Sequence, residues 1–286
     1  DSIMQSPSNN IMNKLARSIL SLYSYSDVTE NTTIEDEMSI ALDLIAKMPI
    51  LMDGAYQAKR HKYDNASLIM HPLRPEENTA ESILSLIRND RSYTKAEAQL
   101  LDTLLALHAD HGGGNNSTFA CRVATSSGTD PFAAYTSAIN SLKGPRHGGA
   151  NIKVIQMLDD IKAHVAHWEN EGEVADYLTK ILRKEANDGS GLIYGMGHAV
   201  YSLSDPRAQI FRGFVKRLSA EKGYEKEFAL YTAVERLAPQ IIAAERKIYK
   251  GVSPNVDFFS GFAYSMLGLP VELYTPIFAI ARIAGW

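Results

Sequence analysis

Three short segments, far apart in the chain, each set an ionisable side chain among glycines or turn-forming residues. They are Gly144-Pro145-Arg146-His147-Gly148-Gly149, Gly195-Met196-Gly197-His198 and Asn255-Val256-Asp257-Phe258-Phe259-Ser260-Gly261. Two imidazoles and one carboxylate are the parts a proton-transfer site needs. Glycine beside them lets backbone and ligand come close where a Cβ would intervene. Each residue also has a plainer reading. His147 is either a loop histidine bonded to its own backbone or a neutral imidazole whose N–H meets an oxygen gaining negative charge. A helix starting near Ala150 would depress its pKa. His198 is either part of a tight turn or a second imidazole of the site. Gly195-Met196-Gly197 is no dinucleotide fingerprint, because no strand precedes it and the third glycine is missing. Asp257 is either a capping aspartate or a general base, with Phe258 and Phe259 as apolar walls that raise its basicity.

The cations divide in the same way. Arg207, after Asp205-Pro206, is a surface charge or a bidentate grip on a carboxylate. Arg282 lies among Phe278, Ala279, Ile280 and Ile283, so it needs an internal carboxylate or an anionic ligand. His108 and His111 are three apart at an expected helix end and should share a face. The favoured reading is one packed histidine and one held by the helix C-terminus, with His111 able to meet an anion in a cleft. A metal site is disfavoured. His-Glu-x-x-His is absent, and one cysteine, Cys121, excludes Cys clusters. His164 and His167 read as the half-exposed face of an ordinary helix.

The elements that must position these groups are helical. Met12, Leu15, Ile19 and Leu22 mark a first apolar face, and Leu42, Ile45 and Ala46 a second that Pro49 should interrupt. Asn78 with Glu81, and Thr94 with Glu97, have the spacing of capping boxes. Val174, Tyr177, Leu178, Ile181 and Leu182 form another stripe. So do Phe228, Tyr231, Val234 and Leu237, bent or ended near Pro239. No alternating run with a tight hairpin signal occurs, so the fold class is all-α. The 286 residues carry a net charge of -4, which is no basic footprint for nucleic acid. No stretch is long and uncharged enough to cross a membrane. A lone cysteine fits a reducing, cytoplasmic setting. The chain starts on Asp1 and stops on an apolar helical pattern at Trp286, so a fragment of a longer protein is expected.

Taken in this order, the residues resemble the citrate synthase family, bacterial type. The resemblance runs from Asn9-Asn10-Ile11-Met12 to Arg282-Ile283-Ala284-Gly285-Trp286, through Gly112-Gly113-Gly114-Asn115-Asn116-Ser117-Thr118-Phe119 and Gly144 to Asn151. It implies a two-domain helical homodimer that condenses acetyl-CoA with oxaloacetate and hydrolyses citryl-CoA, with CoA as cosubstrate and no metal. It matches His147 to the histidine that stabilises the acetyl-CoA enol, Asp257 to the base, and His198 to the group that polarises the oxaloacetate carbonyl. His111, Arg207 and Arg282 match ligands of oxaloacetate carboxylates. Leu192, Ile193, Tyr194, Gly195, Met196 and Gly197 match the loop that meets the CoA adenine. The expected large domain is residues 1–147 with 266–286, and the small domain 148–265. Two departures stand out. A further family arginine that reaches the partner subunit's substrate lies beyond Trp286, and no basic residue follows His198 for the CoA phosphates. The chain alone is therefore expected to be weakly active or inactive. The rivals are a 2-methylcitrate synthase using propionyl-CoA and a noncatalytic helical metabolite-binding dimer.

Overall fold

The computed structural model describes the chain except for positions 1, 28, 31, 111–113, 198–200, 202 and 248–250. The described residues form helices and no strand; their one β-type pairing is an isolated antiparallel bridge between Met196 and Pro254. Two compact units result, residues 1–149 with 272–286, and residues 150–271.

The first unit holds α1 (Ser2–Gln5), α2 (Ile11–Ser21), α3 (Ile34–Tyr63), α4 (Thr79–Ile87), α5 (Lys95–Ala109), α6 (Asn116–Ser126) and α7 (Pro131–Leu142). The second holds α8 (Ala150–His164), α9 (Glu171–Leu182), α10 (Pro206–Lys222), α11 (Glu225–Arg246) and α12 (Asp257–Met266). The last helix, α13 (Tyr274–Arg282), returns to the first unit and packs on α5.

Local chemistry explains the boundaries. Both expected capping boxes form, Asn78 with Glu81 opening α4 and Thr94 with Glu97 opening α5. A third, Thr33 with Asp36, opens α3. Each satisfies two backbone donors that the first helical turn would leave without partners. On α2 the stripe Met12, Leu15 and Ile19 is buried, each side chain contributing about 1.5–3 kcal/mol. Leu22 falls just past it, in a 3-10 turn.

Pro49 does not interrupt its helix: α3 runs unbroken for 30 residues with Pro49 inside. Proline removes one backbone donor and crowds the preceding turn. The burial of Leu44, Met48, Met52 and Ala55 along the same face offsets that cost. α11 likewise continues through Pro239, with Val234, Ala238 and Ile242 buried around it.

Small side chains set the closest packing in the first unit. Cys121 on α6 faces Ala134 and Ala138 on α7, with Trp286 laid against them. The second unit is centred on aromatic rings. Tyr231 stacks on Phe262 at 4.5 Å and meets Phe258 edge-on at 5.6 Å.

Candidate functional site

In the first unit the turn 144–149 is folded tightly on itself. The His147 N–H donates to the Gly144 carbonyl at 2.9 Å, and the Gly148 N–H to the Leu142 carbonyl at 2.9 Å. A Cβ on Gly148 would lie 2.2 Å from the Leu142 oxygen and 2.8 Å from Thr275 Cγ2, so this position admits no side chain. The turn delivers the His147 ring to the first turn of α6. The Ser117 N–H is shared between Asn115 Oδ1 at 3.1 Å and His147 Nε2 at 3.3 Å. A backbone N–H can only donate, so Nε2 accepts and the neutral ring carries its proton on Nδ1. Around Ser117 Oγ the contacts are dense. It donates to Asn115 Oδ1 at 2.6 Å, accepts from Trp286 Nε1 at 3.0 Å and lies 3.0 Å from His147 Nε2.

His147 is pushed down to a pKa of about 4, first by burial and then by the Arg282 charge. The expected direction is right; the leading causes are desolvation and a cation, and the helix N-terminus that meets the ring is that of α6, through the Ser117 N–H, not the one near Ala150. At neutral pH this ring is a donor without charge. Arg282 is buried, donates from Nε to the His108 carbonyl at 2.7 Å and lies over the Phe278 ring at 4.6 Å. His108 is the packed histidine of the expected pair, fully buried with its ring 4.5 Å from Phe278. α5 stops at Ala109 and Asp110 is extended. His111 lies outside the described residues.

In the second unit, residues 195–197 are zipped to residues 253–255. The Asn255 N–H donates to the Gly195 carbonyl at 2.9 Å, and the Gly197 N–H to the Ser253 carbonyl at 2.8 Å. Asn255 Nδ2 donates to the Gly197 carbonyl at 2.9 Å. Gly195 and Gly197 both have positive φ, +78° and +89°, a conformation that L side chains adopt at a cost. At Gly195 space is also short, since a Cβ would lie 2.8 Å from Phe258 Cδ2 and 2.9 Å from Val154 Cγ2. The preceding residues are anchored through Asp188. It accepts from Tyr194 Oη at 2.7 Å and from Lys153 Nζ at 3.1 Å. Bonds from Ser190 and Tyr194 hold its carboxyl well below the usual range. Leu192 is exposed, whereas Ile193 is buried.

Asp257 is the first residue of α12, one place inside the capping position. Its N–H donates to Asn255 Oδ1 at 3.0 Å, and the residue is half-buried. The next two rings, Phe258 and Phe259, are fully buried in the aromatic core with Tyr231. Arg207 is neither a free surface charge nor an open grip. It is buried and bidentate to Asp205, with Nε 3.0 Å from Oδ1 and Nη2 2.9 Å from Oδ2. Asp205 also caps α10 by accepting the Arg207 N–H at 3.0 Å. His198 lies outside the described residues. The decoys are exposed, but α8 ends at His164. His167 lies beyond it and pairs with Glu173 at 2.9 Å, which raises its pKa.

The structure brings His147 and Arg282 together in one unit, and the 195–197 loop and Asp257 together in the other. Sequence reasoning assigned no role to Ser117, Asp205 or the Asn255 side chain. Asn115 before α6 and the Asp205-Pro206 step both carry helix-start signals that could have flagged the first two.

The described residues make an α-protein without strands, with a neutral, half-buried histidine beside an arginine in one unit and an aspartate tied to a two-glycine loop in the other, groups of the kind that proton transfer uses. The family model described as citrate synthase, C-terminal domain, matches residues 1–286, and the chain belongs to the citrate synthase family. It is 36% identical over 245 residues to the citrate synthase of Synechocystis sp., covering 85% of this chain and 55% of that protein. The Haloferax volcanii citrate synthase is 35% identical over 264 residues, covering 92% of this chain and 61% of that one. The chain thus spans little more than half the length of these relatives. Among solved structures, the Thermoplasma acidophilum citrate synthase in ternary complex with carboxymethyl coenzyme A and oxaloacetate superposes with a TM-score of 0.80 and 28% identity, over 100% of this chain and 69% of that one. Citrate synthase from Pyrobaculum aerophilum gives 0.77 and 29%, over 100% and 68%.

Proposed function

We propose that the protein is a citrate synthase that condenses acetyl-CoA with oxaloacetate and releases citrate and CoA. The observation that carries this reading is His147: half-buried, neutral at working pH, and bound at Nε2 so that Nδ1 keeps the donor proton. A thioester methyl is a very weak acid, so a carboxylate removes its proton only if the enolate oxygen is stabilised as charge develops. The Asp257 carboxylate takes that proton and His147 Nδ1–H meets the enolate oxygen. The enol carbon then attacks the oxaloacetate carbonyl, whose oxygen takes a proton from His198. Water cleaves the resulting thioester, releasing CoA.

His111, Arg207 and Arg282 serve the two oxaloacetate carboxylates. Asp205 takes the Nε–Nη2 edge of Arg207 and fixes the plane of its guanidinium. Residues 192–197 take the CoA adenine. The working form is a homodimer, supported by Phe119 and Val123, exposed one turn apart on α6 where a second copy would cover them. Cytoplasmic residence fits the single free cysteine, Cys121.

Thiol release tests the reading, with acetyl-CoA and propionyl-CoA compared in the full-length protein, each with and without oxaloacetate. Release should depend on oxaloacetate and favour acetyl-CoA. Oxaloacetate-independent release would mark a simple hydrolase, and a propionyl-CoA preference a 2-methylcitrate synthase. Asp257→Asn and His147→Ala should each lower kcat by about 10²–10⁴-fold without unfolding the protein. Near-normal turnover in both removes the role assignment.

A further inference from the structure

Asn255 uses all four of its polar atoms within one short stretch. Its N–H reaches the Gly195 carbonyl at 2.9 Å and its own carbonyl accepts the Phe258 N–H at 3.2 Å. Its Nδ2 reaches the Gly197 carbonyl at 2.9 Å, and its Oδ1 accepts the Asp257 N–H at 3.0 Å. The side-chain amide therefore spans two elements, with its donor end on the glycine loop and its acceptor end on the first residue of α12. Few side chains could do both. A carboxylate accepts only, and a hydroxyl is too short to link two groups on opposite sides. The Gly197 carbonyl faces Asn255 through a positive-φ backbone with no atom within 4 Å of its absent Cβ.

We infer that Asn255 is a positioning residue that ties the setting of Asp257 to occupancy of the 195–197 loop by the CoA thioester. The inference rests on the function proposed above. When the loop is engaged, the Gly197 carbonyl is fixed, the Asn255 amide is held by it, and the amide oxygen holds the backbone of Asp257 at one φ/ψ. A shift of the Gly197 carbonyl on engagement is thereby passed through one amide to the backbone of Asp257.

Asn255→Asp separates the two ends of the link, because it keeps an acceptor for the Asp257 N–H and removes the donor to Gly197. Asn255→Ala removes both. Calorimetric titration with CoA gives a readout that needs no turnover, and both variants should bind CoA roughly tenfold more weakly, as expected for one lost hydrogen bond. In turnover, the KM for acetyl-CoA should rise while that for oxaloacetate stays put, and kcat should fall with Asn255→Ala. In an Asp257→Asn background, Asn255→Ala should cost no further kcat, since both act through one group. Unchanged CoA affinity in both variants overturns the inference, as does a full additional loss of kcat in the double variant. If wild type shows no oxaloacetate-dependent release yet the variants still weaken CoA binding, the proposed reaction fails while the loop link stands.

Discussion

The two units build their functional corners by different physics. Around His147 the polar neighbours Ser117 and Arg282 are buried, and the half-buried imidazole is kept neutral by what surrounds it: desolvation, the Arg282 charge and the Ser117 N–H. Around residues 195–197 the backbone does the work. Two glycines at positive φ turn their carbonyls and N–H groups toward residues 253–255, and an aromatic core presses from below. The first corner should therefore respond to pH and to changes of charge, the second to added volume.

Added volume gives the largest expected effect. Gly195→Ala places a methyl against Phe258 and Val154 in a positive-φ conformation. It should destabilise by about 2–5 kcal/mol, overpacking and backbone strain combined, read as a lowered urea midpoint. If Gly195→Ala costs no more than Gly197→Ala, packing is not what holds the loop.

A buried carboxyl in the first unit gives the next effect. Asp53 on α3 is 3% exposed and accepts one bond, from Gln57 Nε2 at 3.2 Å. Burial pushes its pKa up from 3.8 to about 7, only partly opposed by that bond. Between those values the folded state binds the extra proton, so Asp53 lowers stability progressively as pH rises from about 4 to about 7. His147 has the opposite sign. Its folded pKa is depressed from 6.5 to about 4, so stability is lost as pH falls through that window. The two slopes mask each other. Asp53→Asn removes one of them and should gain about 2–4 kcal/mol relative to wild type between pH 4 and pH 8, leaving a curve that falls toward acid. Parallel curves for the two proteins would show that Asp53 does not titrate there. The smallest effect belongs to Gly197→Ala, about 1–2 kcal/mol, because only the backbone conformation resists and the space is open.

The positions of the helices were largely legible. Apolar spacing and capping signals lie within one or two turns of the chain, so α2, α4, α5 and α9 could be read without tertiary information. The failure came where packing overrode local preference: Pro49 sits inside a continuous helix because its neighbours are buried. For the site, residue types and order singled out His147, Asp257, Arg207 and Arg282. Their partners were harder to see. Ser117 and His147 are 30 residues apart, and Arg282 and His108 are 174 apart.

The sequence by itself determined the all-helical class, the helix starts and the family, because these depend on short-range spacing and on motifs read in order. Only the tertiary structure decided that His147 is neutral through burial and Arg282, that Asp205 already holds Arg207, and that one asparagine joins the glycine loop to Asp257. Protonation and hydrogen bonding depend on which distant groups meet and how much water is left between them, and a linear text does not carry that information.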